Sequence, residues 1–155
     1  MELSGPQYGP FIQKLIIKKN YWTKILAKEL KGDFKTTLGV YVELKISLGT
    51  IKCNKFNFGQ IRLQHNVDFY ILIAYYVSDS NWNKLGEVFI FKLKKNEISA
   101  FIGNCYSHGT INGWNDLDSK IIEKHSEKSI GVSYNSIAWK KLLKFRISQK
   151  FFFSM

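Results

Sequence analysis

The chain is poor in the residues that cross-link or anchor proteins. Its two cysteines, Cys53 and Cys105, stand apart, with no second Cys or His at ligand spacing. That excludes a disulfide framework and points to reduced thiols in a cytoplasmic protein. His65, His108 and His125 share no short metal-binding motif, which excludes a structural zinc module. The longest apolar run, "FYILIAYYV" at residues 69 to 77, is far shorter than the ~20 residues a membrane helix needs. The opening "MELSGPQYGP" shows no basic segment followed by an apolar one, so neither a secretory signal nor a membrane partner is expected. Acidic residues are scarce as well: 12 Asp and Glu stand against 23 Lys and Arg, for a net charge of +11. Such an excess favours a polyanionic partner.

What is present suits one folded domain. The 155 residues are 45% hydrophobic and 15% aromatic, enough to bury a substantial core. Pro10 and the recurrence of Phe11, Leu15, Trp22, Ile25, Leu26 and Leu30 predict a helix over 10 to 31, ended by Gly32. Residues 33 to 38 and 40 to 48 read as strands around Gly39. Residues 55 to 66, "KFNFGQIRLQHN", read as a short helix. "FYILIAYYV" is apolar on both alternating faces, as a central strand covered on two sides would be. A polar loop, "SDSNWNKLG", leads to a strand over 87 to 93 and a short helix over 95 to 103. Residues 104 to 136 read as long loops. "SIAWKKLLKFRI" reads as an amphipathic helix, with Trp139, Leu142 and Leu143 inward and Lys140, Lys141 and Lys144 outward. The closing "FFFSM" is expected to pack on the domain or a partner. The sum is an α/β domain over 1 to 155, a central mixed sheet flanked by helices, with its core in about residues 5 to 103.

The stretch "GDFKTTLGVYVELKIS", residues 32 to 47, places charge where burial is expected. Side chains alternate along a strand, so Tyr41, Glu43 and Lys45 share one face while Val42, Leu44 and Ile46 take the other. Glu43 and Lys45 are then roughly 6 to 7 Å apart along the strand. A turn at Leu38 and Gly39 sets Asp33 nearly opposite Lys45 and Glu43, so that three ionisable groups converge at one end of the sheet. Two carboxylates this close repel unless a cation lies between them, and a hard ion such as Mg²⁺ suits such ligands, with Mn²⁺ as a substitute. A neighbouring ammonium can stabilise charge building on a phosphate. The plain alternative is an exposed cross-strand ion pair, which stabilises little.

"GDF", nine intervening residues and "ELK" resemble the PD-(D/E)XK nuclease superfamily, which includes many type II restriction endonucleases. The order of elements (helix, hairpin bearing Asp and Glu-x-Lys, helix, buried strand) is similar to its restriction-endonuclease-like core. "VELKIS" followed by "GQIRLQHNVDFYILIAYYV" is similar to small restriction-type enzymes with a Gln-bearing helix after the acidic strand. The resemblance covers about residues 5 to 93. It implies that Asp33 and Glu43 are metal ligands, that Lys45 is the catalytic lysine, and that water cleaves DNA to leave a 5′-phosphate and a 3′-hydroxyl. Two departures stand out. Gly32 replaces the proline of the motif's name. Residues 5 to 19 also lack the acidic residue that several restriction enzymes place on the first helix, leaving Gln7 or Gln13 as polar candidates of similar length.

On the helix read over 55 to 66, Asn57, Gln60 and Gln64 form one amide-bearing face able to meet phosphates or adenine edges. Lys52, Lys55 and Arg62 flank it as candidate phosphate contacts, and His65 at its end is read as structural. "CYSHGTINGW", residues 105 to 114, is a candidate DNA-contacting loop. The leading expectation is a Mg²⁺-dependent endonuclease cutting double-stranded DNA. A non-catalytic nucleic-acid-binding protein is the competitor, and a repair or junction nuclease is the lesser alternative. Cutting both strands with one Asp and Glu-x-Lys set per chain suggests a two-fold homodimer.

Overall fold

A computed structural model describes residues 5–50, 53–77, 86–102 and 128–155. In chain order, the helix α1 spans Gly5–Asn20, β1 Thr23–Lys24, β2 Phe34–Lys35, β3 Tyr41–Thr50 and β4 Lys55–Ile61. Next come β5 Phe69–Val77, β6 Glu87–Leu93, α2 Lys95–Ser99, β7 Lys128–Ser133, α3 Ile137–Leu142, β8 Arg146–Ile147 and α4 Gln149–Phe152. The arrangement is α/β, around a six-stranded mixed sheet in the order β1-β2-β3-β5-β6-β8, with a separate two-stranded sheet of β4 and β7. Among the described residues, no helix is long and apolar enough to cross a membrane.

β5 is the axis of the main sheet, running parallel to β3 and antiparallel to β6. As its uniform apolarity predicts, Tyr70, Ile71, Leu72 and Ala74 are all fully buried, because each face of the sheet has its own cover. On one face α1, Trp22, Phe34 and Phe152 pack over Val42, Leu44, Ile71 and Ile73. On the other the β4–β7 layer and Trp139 cover Tyr70, Leu72 and Ala74. Trp139 stacks on Phe56 at 5.0 Å and meets the edges of Phe89 and Phe91 at 4.9 and 5.5 Å, arrangements that aromatic quadrupoles favour. Ser136 caps the helix carrying it, its Oγ accepting from the Trp139 amide at 3.1 Å, as N-cap serines do.

Several sequence expectations need correction. The first helix ends at Asn20 rather than running to residue 31. Tyr21 turns left-handed at φ 56°, the Asn20 side chain donates to the Phe152 carbonyl at 3.0 Å, and Trp22 is buried against Phe152. Thr23 and Lys24 then pair with Lys35 and Phe34. The apolar spacing misled because Phe11, Leu15, Leu26 and Leu30 are about half exposed, not inward-facing. The strand expected over 33 to 38 is only two residues long. Residues 55 to 61 are strand, not helix, with Phe56, Phe58 and Ile61 buried and Lys55, Asn57 and Gln60 exposed. Residues 128 to 133, expected as loop, form β7. The helix after β6 covers only Lys95–Ser99. In the C-terminal segment, helix and a 3-10 turn give way to β8 at Arg146, which pairs with β6. Trp139 and Leu142 do face inward, while Lys140, Lys141 and Lys144 are exposed. Phe152 of the closing aromatic run is buried and Phe151 about half exposed. The polar loop at 78–85 and the segment 105–114 lie outside the described residues.

Candidate active site

The hairpin that carries Asp33 and Glu43 closes as its residues suggest. Gly39 supplies a positive φ of 82° in the turn, a conformation glycine adopts without steric cost. Phe34 pairs with Val42 and Lys35 with Tyr41, so Asp33, one step further, comes opposite Glu43. Asp33 is held at both ends. Its amide donates to the Val42 carbonyl at 2.9 Å, and its Oδ2 accepts from the Leu44 amide at 2.8 Å. Gly32 before it has φ +81°, and a Cβ there would fall 2.6 Å from Val67 Cγ1 and 2.7 Å from the Val42 carbonyl oxygen. Proline, fixed near φ −65°, cannot take this conformation, so the hairpin itself dictates the departure from the motif's proline.

Glu43 lies in a setting that the alternation alone does not predict. It shares the face of Tyr70, its partner on β5, and that face is roofed by the β4–β7 layer. Glu43 is therefore 1% exposed, buried rather than half of an exposed ion pair. Lys45 Nζ lies 3.0 Å from its Oε1, and the Arg62 amide approaches the same oxygen at 3.4 Å. Oε2 has no hydrogen-bond partner among the described residues, and His65 Nδ1 stands 3.7 Å from it. Burial pushes the Glu43 carboxyl above its ordinary value, against the pull of Lys45 and with the added push of Asp33. Tyr70, whose hydroxyl donates to the Arg62 carbonyl at 3.2 Å, is pushed up by burial and by the neighbouring Glu43 charge. A buried carboxylate with an unsatisfied oxygen is energetically costly, about 1 to 3 kcal/mol or more.

Beside Asp33 opens a cavity of about 370 Å³ whose lining includes Gln13, Lys24, Arg62 and His65. It falls in the ~300 to 1,000 Å³ range of small-ligand sites. Of the two polar candidates on the first helix, Gln13 lines this cavity, and the Gln7 side chain lies outside the described residues. Lys24 and His65 are cavity residues that sequence reasoning did not place. Lys24 falls in the segment whose apolar spacing predicts helix, and His65 arrives through the path of the segment between β4 and β5, which no residue spacing announces.

The two carboxylates are a donor set that Mg²⁺ tolerates, since it binds through one or two carboxylates and fills its shell with water and phosphate oxygens. Among the described residues no group of three or more His, Cys, Asp or Glu is placed to hold a metal, so a cage built wholly from these side chains is not offered. The expected reading face of Asn57, Gln60 and Gln64 does not exist as a helix. Lys55, Asn57 and Gln60 lie on the exposed side of β4, Arg62 lines the cavity, and Gln64 is exposed in the turn after it. Lys52 lies outside the described residues.

No protein-family model matches the chain, and no curated protein matches it at a significant level.

Proposed function

We propose that this chain is a Mg²⁺-dependent DNA endonuclease with a restriction-endonuclease-like core, cutting duplex DNA at specific sites. The observation that carries the reading is the meeting of Asp33, Glu43 and Lys45 at one end of β2 and β3, beside a cavity lined by Lys24 and Arg62. In this reading Asp33 and Glu43 hold the cation, which when bound neutralises phosphate charge and renders an attacking water more acidic. Lys45, held against Glu43, offers its ammonium to the charge that develops on the phosphate. Lys24 and Arg62 anchor the strand through its phosphates. A two-fold dimer would present one such site to each strand of a palindrome.

A second reading has its own support. Glu43 is nearly sealed from solvent and already neutralised by Lys45 at 3.0 Å, as in a structural ion pair within a non-catalytic nucleic-acid-binding protein. Incubating the protein with varied plasmid and phage DNA, in Mg²⁺ or in EDTA, decides between them. Discrete fragments that appear only with Mg²⁺ support the nuclease. DNA that is retained but left intact with every divalent cation supports the binder.

A further inference from the structure

Of the three amides first expected to read DNA from a helix, Asn57 and Gln60 sit instead on a two-stranded ribbon, while Gln64 lies in the turn beyond it. β4 and β7 pair antiparallel, with Lys55 opposite Ser133 and Asn57 opposite Gly131. Their inward side chains, Phe56, Phe58, Ile130 and Val132, are sealed in the core. Their outward side is polar and open, with Lys55, Asn57, Gln60 and Gly131 exposed. Gly131 leaves space that its neighbours use: a Cβ there would fall 2.8 Å from Lys55 Cε and 3.3 Å from Asn57 Oδ1. Neither strand contains a carboxylate. The register also slips between Phe58 and Ile61, where Gln60 takes a positive φ of 55°. Such a bulge re-aims side chains, and backbone strain in a non-glycine residue concentrates at working surfaces.

We infer that the outward face of the β4–β7 ribbon reads base edges in the major groove of duplex DNA, Asn57 and Gln60 contacting bases and Lys55 the phosphate backbone. The inference takes its substrate class from the nuclease reading. A major groove about 12 Å wide admits a two-stranded ribbon, and Asn and Gln amides pair with the N6 and N7 edge of adenine. The absence of carboxylates lets the face approach a polyanion without repulsion. The ribbon is also coupled to the site. Arg62 directly follows β4, its amide approaches Glu43, and it lines the cavity with Asp33.

The test is selection from a pool of duplexes with a randomised core, using the full chain without added divalent metal, followed by methylation interference on the selected site. Asn57→Ala leaves an exposed strand position filled, and Gln60→Gly keeps a residue at ease with positive φ, so both variants retain the ribbon. Each is expected to lose base preference at the pair it contacts and to bind the selected site about 10- to 100-fold more weakly. Methylation at guanine N7 or adenine N6 should block wild-type binding. Unchanged preference in both variants, interference confined to adenine N3 in the minor groove, or a pool that never enriches would each overturn the inference. Cleavage is assayed separately. A chain that selects through Asn57 and Gln60 yet never cuts retires the nuclease reading and leaves the ribbon standing. A chain that cuts while both variants keep their preference retires the ribbon alone.

Discussion

β3 and β5 lie side by side in parallel, residue against residue, under the same roof of β4 and β7. On the roofed face β5 places Tyr70, Leu72 and Ala74, while β3 places Glu43, Lys45 and Ser47 at the paired positions. Ser47 has a structural task, its Oγ accepting from the Asn57 amide at 2.9 Å and tying β4 to β3. Glu43 and Lys45 have a slighter one, the Arg62 amide reaching Glu43 Oε1 only at 3.4 Å, and buried ion pairs replaced by packed hydrophobic groups often leave stability unchanged or improved. The contrast between two neighbouring strands in one environment separates what the fold requires from what it tolerates. The acid and the lysine on β3 belong to the second kind, and a chemical role is the reason we assign for their presence.

The largest effect should come from the carboxylates. Asp33→Ala and Glu43→Ala are each expected to lower Mg²⁺-dependent cleavage more than about 100-fold, beyond the loss seen for outer partners of metal ligands. Circular dichroism should still report a folded chain. Near wild-type cutting by either variant would remove that residue from the metal site.

Rebuilding β3 in the image of β5 sharpens the contrast. Lys45→Ala strips the buried Glu43 of its counter-ion and should lower stability by about 3 kcal/mol. The pair Glu43→Leu with Lys45→Met should hold stability or raise it by about 1 to 4 kcal/mol while cleavage is lost. Urea unfolding measures both. A double variant less stable than Lys45→Ala would show that the fold itself needs the charges.

A smaller effect concerns pH. The folded-state value of Glu43 is raised above its ordinary 4.5, so the native chain keeps a proton that the unfolded chain has already released. Its contribution to stability is complete below 4.5 and is lost as pH rises through the folded value. Glu43→Gln removes this dependence. The variant should therefore gain on wild type as pH rises above 4.5, read from urea midpoints across a pH series. Parallel curves would mean that Lys45 and the Arg62 amide offset burial fully. Smallest and broadest is the salt dependence. Log affinity for DNA should fall with log salt by about 0.9 for each phosphate neutralised, and a flat response would deny a nucleic-acid partner.

What the sequence disclosed depended on distance along the chain. The hairpin joining Asp33 to Glu43 was legible because Gly39 and the alternation of residues 40 to 46 are local signals. β5 was legible because nine consecutive apolar residues suit little else at that length. β4 was misread because Asn57, Gln60 and Gln64 imitate helical spacing, whereas the Phe56 and Phe58 alternation was the truer signal. Its strand pairing comes from β7, some seventy residues on. The burial of Glu43 follows from that same distant cover and was invisible for the same reason. The end of α1 at Asn20 depends on a tyrosine in left-handed conformation and on Trp22 reaching Phe152 near the far terminus, neither of which local propensity encodes.

The central claim, that Asp33 and Glu43 are placed to hold a divalent cation, is tested most directly by calorimetric titration of the purified chain with Mn²⁺ in the presence of duplex DNA. Wild type should bind the ion saturably, while Asp33→Ala and Glu43→Ala should each weaken that binding at least about tenfold. Equal binding by all three proteins, or no saturable binding by wild type, would contradict it.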